Sequence, residues 1–139
     1  MNQFIYHYLY NGNGVAIGDI NNDGLNDLYF SGNEQSSRLY LNKGDFKFED
    51  ITQKSGTGTK QWISGVTMVD VNNDGWLDIY ACSSGPLKSK DSKRNRLFLN
   101  QKNETFKEVA KDWGVDDAGN ATCATFFDYD NRSEEHTSE

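Results

Sequence analysis

Short apolar runs separated by polar turns make up residues 14–64. The runs are Val15–Ile17, Asp27–Phe30, Arg38–Leu41 and Phe46–Ile51, and Gly, Asn and Asp dominate the segments between them. In the last run apolar and polar residues alternate, which is the period of a β-strand with one buried face. Four short strands joined by tight turns predict a four-stranded antiparallel sheet.

The same pattern recurs later in the chain. Gly14–Asp27 matches Gly65–Asp78 at an offset of 51 residues, and Arg38–Asn42 matches Arg96–Asn100 at an offset of 58. The longer offset predicts an insertion in the second copy. We divide the chain into a lead-in strand or incomplete blade at 1–13, a first repeat at 14–64, a second at 65–122 with an insertion at 83–95, and the start of a third at 123–131.

Repeats of this length, each with four strands, are typical of β-propeller blades. We therefore predict an all-β fold with about two complete four-stranded blades and the start of a third. A helical period is present only over Phe106–Trp113, where we expect one or two helical turns.

The last eight residues do not continue the repeat. Residues 132–139 are, residue for residue, one reading frame of the sequencing adapter AGATCGGAAGAGCACACGTCTGAA. We treat them as an artefactual tail and leave them out of fold reasoning. We expect the natural protein to continue beyond Asn131.

The loop between the first two strands of each repeat carries the pattern D-x-N-x-D-G-x-x-D. Ca²⁺ binds six to eight oxygen atoms, and a tight turn lets alternate side chains converge on one point. Gly24 and Gly75, at the sixth position, permit the sharp reversal. The predicted ligands are Asp19, Asn21, Asp23, the Leu25 carbonyl and Asp27, and Asp70, Asn72, Asp74, the Trp76 carbonyl and Asp78.

Two other interpretations of the loops were weighed. An EF-hand requires a carboxylate at position 12, where these loops have Phe30 and Ala81. A plain Asn/Asp-Gly hairpin turn without metal stays open. Asp128 and Asp130 match the first and third positions of a third loop whose remainder is missing.

The loops, with the following Arg-Leu-Tyr/Phe-Leu-Asn and Phe-x-Glu/Asp strands, resemble the FG-GAP-like or VCBS repeat family. These repeats are blades of calcium-binding propellers related to the integrin α-subunit head. The chain also resembles secreted bacterial proteins that combine them with an ASPIC/UnbV domain. The resemblance implies a propeller of seven blades, Ca²⁺ in the loops and a location outside the cytoplasm. This chain has too few blades to close a ring, and it has no visible ASPIC/UnbV segment.

The net charge and the absence of certain motifs argue against several classes of function. A net charge of −7 argues against nucleic acid as a partner. No apolar run is long enough to insert in a membrane. Metalloprotease and nucleophile-elbow motifs are absent, so we expect no enzyme activity. Pairing of Cys82 with Cys123 stays open.

We therefore expect a non-catalytic, calcium-stabilised module for adhesion or for binding a protein or polysaccharide. Its other partners would be the remaining blades of the same propeller. We expect it outside the cell, at the cell surface or associated with the outer membrane. Two alternatives are an accessory propeller of a secreted polysaccharide-processing enzyme and a lectin-like propeller whose glycan pocket is lined by Trp62, Trp76 or Trp113.

Overall fold

A computed structural model describes residues 14–33, 35–84, 94–119 and 121–127. These residues form two four-stranded antiparallel sheets, each with its strands in sequence order. The predicted all-β fold with two blades is confirmed. The first blade contains β1 (Val15–Gly18), β2 (Asp27–Phe30), β3 (Arg38–Asn42) and β4 (Phe48–Asp50), and the second contains β5 (Ile63–Val69), β6 (Asp78–Ser83), β7 (Arg96–Asn100) and β8 (Phe106–Glu108).

The start of β4 differs from the prediction. Asp45 and Phe46 have φ angles of 52° and 58°, and the N–H of Lys47 donates to the carbonyl of Gly44 over 3.0 Å. Phe46 therefore still belongs to the turn before β4, and it is 99% exposed. The alternating pattern predicted that Phe46 and Phe48 lie on the same face of one strand. Instead Phe46 lies in the turn, and the strand begins at Phe48.

The second sheet begins at Ile63 rather than at Gly65. The N–H of Ile63 donates to the carbonyl of Gly32 over 3.1 Å, which ties the start of β5 to the first blade. A register shift between Ile63 and Gly65 then lets β5 pair with β6.

One short α-helix, α1 (Thr52–Ser55), follows β4 in the described part of the chain. The predicted helical turns over Phe106–Trp113 are only partly correct, because β8 occupies the first three residues. A single turn follows, in which the N–H of Trp113 donates to the carbonyl of Val109 over 3.1 Å. Nowhere in the described ranges is there a helix long and apolar enough to cross a membrane.

The main core lies between the two blades. Tyr29 and Leu39 from the first blade are fully buried, and they belong to one cluster with Ile79 and Phe98 from the second. Gly18 faces the second blade, where an added Cβ would come within 2.6 Å of the Cδ1 of Leu77. A larger residue at this position would require the side chains of Leu77 and Met68 to shift.

The opposite face of the second blade packs against the start of the third repeat. Thr67 Oγ1 donates to the carbonyl of Ala124 over 3.1 Å, and the Phe126 ring makes an edge contact with Tyr80 at 5.4 Å. Residues 121–127 form no strand. The lead-in at 1–13, most of the insertion, and residues 128–139 with Asp128 and Asp130 lie outside the described residues.

Candidate metal centre

The two Asp-rich loops connect β1 to β2 and β5 to β6, and they have the same backbone conformation. Gly24 and Gly75 have φ angles of 86° and 83°. Asn22 and Asn73 both have a φ of 57°. The predicted role of the sixth-position glycines in reversing the backbone is confirmed, since φ near 85° is strained for any residue with a Cβ.

Backbone donors hold the carboxylates at the first and fifth positions. In the first loop, Asp19 accepts hydrogen bonds from the N–H of Asp23 at 3.2 Å and the N–H of Gly24 at 2.7 Å. Asp23 accepts from the N–H of Leu25 at 2.9 Å. The second loop repeats these three bonds at 3.1, 2.7 and 3.0 Å through Asp70, Asp74, Gly75 and Trp76.

The ninth-position carboxylates are fully buried and connect the loop to the sheet. Asp27 accepts from the N–H of Ile20 at 2.9 Å through Oδ2 and from the N–H of Asn42 at 2.8 Å through Oδ1. Asp78 accepts from the matching residues, Val71 at 3.0 Å and Asn100 at 2.8 Å. The sequence motif gave no sign of this second role, because the donors come from β3 and β7 as well as from the loop.

Burial raises the pKa of both ninth-position carboxyl groups. For Asp78 burial raises the pKa to about 6, against the lowering effect of its two backbone donors, and the carboxylates of Asp74 and Asp70 raise it further. The pKa of Asp27 is raised for the same reasons. A bound cation would oppose this shift, because it favours the charged form of the carboxyl.

The third-position side chain faces two carboxylates in the second loop. The inward-facing atom of the Asn72 amide lies 3.0 Å from Asp70 Oδ1 and 3.0 Å from Asp74 Oδ1. With the amide nitrogen inward, Asn72 donates to both carboxylates. With the oxygen inward, three oxygen atoms converge, which is stable only around a cation.

In the first loop the nitrogen of this amide is bound by a residue outside the loop. Asn21 Nδ2 donates to Glu104 Oε2 over 3.2 Å, and Asn21 Oδ1 is buried with no hydrogen-bond partner. An unpaired buried oxygen costs free energy unless a donor or a cation compensates it. The oxygen-rich donor set and this unpaired oxygen fit a hard cation such as Ca²⁺.

Each loop groups two carboxylates with one amide. Within the part of the chain that the structure describes, no three His, Cys, Asp or Glu side chains are placed together as a metal site. A cation would therefore also depend on amide and backbone oxygens or water. The carbonyls of Leu25 and Trp76 and the carboxylates of Asp27 and Asp78 stay predicted ligands.

The predicted glycan pocket between blades stays a prediction, and a cleft in the first blade lacks its aromatic residues. This open cleft of about 410 Å³ lies beside α1, and none of its lining residues is aromatic. Trp62 is buried and Trp76 is partly buried in the second loop. Trp113 is exposed on the second blade, outside the cleft.

Comparison with known proteins agrees with this geometry. Residues 19–81, from the start of the first loop to beyond the end of the second, match the FG-GAP-like repeat family. The chain is also 36% identical over 90 residues to cartilage acidic protein 1 of Xenopus tropicalis. That alignment covers 63% of this chain and 13% of the length of the relative. The chain therefore contains an FG-GAP-like repeat, with distant similarity to this relative.

Proposed function

We propose that this chain is a calcium-stabilised propeller module that acts in binding or adhesion outside the cell and carries out no catalysis. The observation that supports it best is the unpaired Oδ1 of Asn21, buried in a loop that already holds the carboxylates of Asp19 and Asp23. The second loop has the same sequence pattern and backbone.

In this proposal Ca²⁺ has a structural role. When bound, it offsets the repulsion between the loop carboxylates and gives the third-position amide oxygen a partner. Asp27 and Asp78 transmit this order to the sheets, because each connects its loop to the last residue of a strand. The ion stabilises the protein because it binds the folded loop and not the unfolded chain.

The proposed location follows from the affinity expected of such loops. Calcium loops in extracellular modules bind with dissociation constants of about 10⁻⁴–10⁻³ M. The low calcium of a cytoplasm would leave loops of this class empty. An extracellular location, at the cell surface or the outer membrane, supplies the ion continuously.

Further blades are the first proposed partner. Val15 and Ile17 are 50% and 62% exposed, whereas Val66 and Met68 at the same places in the second blade pack against the first. The face of the first blade that carries Val15 and Ile17 is therefore exposed, whereas the equivalent face of the second blade is covered by the first blade. A protein or polysaccharide ligand is proposed as the second partner.

A thermal melt of the complete 139-residue chain tests the calcium role. We compare EDTA with millimolar Ca²⁺, for the wild type and for the double variant Asp23→Ala, Asp74→Ala. At tenfold excess over the dissociation constant, two sites would add about 3 kcal/mol, a rise in midpoint on the order of 10 °C. The double variant should show no such rise.

Asp112→Ala is the control, because it removes an exposed carboxylate outside both loops. Its midpoint should rise with Ca²⁺ as that of the wild type does. A folded wild-type chain whose midpoint is the same in EDTA and in Ca²⁺ would contradict the proposal and leave the loops as simple turns.

A further inference from the structure

We propose that Glu104 of the second blade is a positioning residue for the calcium loop of the first blade, so that this loop binds its ion fully only when the two blades are docked. The inference rests on the proposed calcium function. It concerns a residue outside the loop motif, 83 positions along the chain from the side chain it orients.

The hydrogen bond between Asn21 and Glu104 fixes which end of the amide faces the loop. A carboxylate can only accept, so the amide nitrogen of Asn21 has to point at Glu104. Asn21 Oδ1 is then turned away from Glu104, and it is the buried oxygen without a partner. Glu104 thereby holds the third-position ligand in the orientation that a cation requires.

Glu104 is itself held from the first blade. Lys54 on α1 donates to Glu104 Oε1 over 2.8 Å, while Oε2 accepts from Asn21 over 3.2 Å. Both oxygens of this carboxylate are thus used in contacts across the blade interface. Since Lys54 and the amide nitrogen of Asn21 are both donors, each oxygen of Glu104 acts as an acceptor.

A direct contact between the loops accompanies this bridge. Asn22 Nδ2 in the first loop donates to the carbonyl of Gly75 in the second over 3.2 Å. The second loop has no described residue in the place of Glu104, and its Asn72 amide can turn its nitrogen to Asp70 and Asp74. The two loops have the same motif but differ in what fixes the third ligand.

Calcium titration by calorimetry of the complete chain tests this proposal loop by loop. In an Asp74→Ala background only the first loop should bind, and in an Asp23→Ala background only the second. Removal of a residue that orients a ligand typically weakens metal binding tenfold or more, so Glu104→Ala should weaken the first loop about tenfold. It should leave the second loop unchanged.

Two further variants separate positioning from other effects. Glu104→Gln keeps the size of the side chain but has one oxygen for the two donors, Lys54 and Asn21, and its amide nitrogen can donate to Asn21 Oδ1, so it should weaken the first loop about as much as Glu104→Ala does. Asp112→Asn removes one carboxylate charge elsewhere and should have no effect. Unfolding in EDTA, measured for each variant, reports any loss of stability that is independent of the ion.

The outcomes distinguish the two proposals. If neither single-loop background binds Ca²⁺, the proposed function is wrong and this inference is wrong with it. If the loops bind but Glu104→Ala leaves the first-loop affinity unchanged, or weakens both loops equally, only the positioning role is wrong. A Glu104→Gln variant that binds Ca²⁺ in the first loop as tightly as the parent would also overturn it.

Discussion

Asn100 donates a hydrogen bond from its side-chain Nδ2 to the backbone carbonyl of Ile20, over 2.8 Å and across the boundary between the two blades. The same nitrogen donates to the carbonyl of Leu77 over 2.9 Å. Asn100 therefore ties both Asp-rich loops to the end of β7. In its equivalent in the first blade, Asn42, the same nitrogen donates to the carbonyl of Asn26 in its own loop, and it bonds to no other blade among the described residues.

This difference predicts unequal costs for two matched substitutions. Asn100→Ala leaves buried carbonyls without a donor and should lower the free energy of unfolding by about 2–3 kcal/mol. Asn42→Ala removes a more exposed bond and should cost about 1 kcal/mol or less. Urea denaturation of both variants measures the difference, and equal losses would show that the bond to Ile20 does not stabilise the interface.

The raised pKa of Asp78 predicts a pH effect in the calcium-free protein. Burial raises this pKa from 3.8 to about 6, so between these values the folded chain binds more protons at Asp78 than the unfolded chain does. The contribution of this residue to stability therefore falls as the pH rises from 4 to 7.

The measurement compares the wild type with Asp78→Asn in EDTA across this range. The free energy of unfolding of the wild type, relative to the variant, should decline with rising pH. A difference that stays constant with pH would mean that Asp78 has an ordinary pKa.

The ion pair between Lys102 and Asp74 predicts that the two loops differ in their affinity for Ca²⁺. The Nζ of Lys102 lies 3.8 Å from Asp74 Oδ2 and competes with a cation for this carboxylate. In the Asp23→Ala background, Lys102→Gln should strengthen calcium binding to the second loop about two- to fivefold, a modest effect because the ion pair is exposed. Titration of the Asp74→Ala background is the control, where the first loop should not change. Unaltered second-loop binding would exclude this competition.

The two cysteines are free thiols with different environments. Cys82 is buried, and burial raises its pKa to about 11, whereas Cys123 is exposed. Iodoacetamide at pH 8 should modify Cys123 in the native protein and both residues after denaturation, since the thiolate is the reactive form. Peptide mass mapping reads out the sites. Protection of both thiols from alkylation until a reductant is added would instead indicate a disulfide.

The exposed face of the first blade predicts self-association. Ile17 and Phe30 are 62% and 44% exposed on adjacent strands, an unusual placement for large apolar side chains in a monomer. Light scattering after size exclusion should find oligomers or aggregates of the wild-type chain and fewer in Ile17→Lys. Gln53→Lys, which adds the same charge on α1, should behave as the wild type. A monodisperse wild-type monomer would contradict this expectation.

Much of the fold could be predicted from the sequence because the repeat is defined by short-range signals, namely its turn residues and the alternation within its strands. Glycine at the sixth loop position, where the backbone has a positive φ, and alternating apolar residues in the strands constrain only their own neighbourhood. These signals are enough for the strand order, the loop conformation and the division into two blades. The start of β4 was misplaced because the left-handed conformations of Asp45 and Phe46 have no such signal.

The candidate site shows where this local information ends. The motif predicted which oxygen atoms would bind a cation, but it could not tell that Asp27 and Asp78 accept backbone hydrogen bonds from β3 and β7. Nor could it pair Asn21 with Glu104, because no spacing rule connects residues in different repeats.

By itself the sequence determined the blades and their Asp-rich loops, since short-range hydrogen bonds and strand alternation are set by adjacent residues. Only the tertiary structure decided which face is covered, which carboxyl group is buried and which end of the Asn21 amide meets Glu104. These depend on packing between blades, where burial and hydrogen-bond partners come from distant parts of the chain.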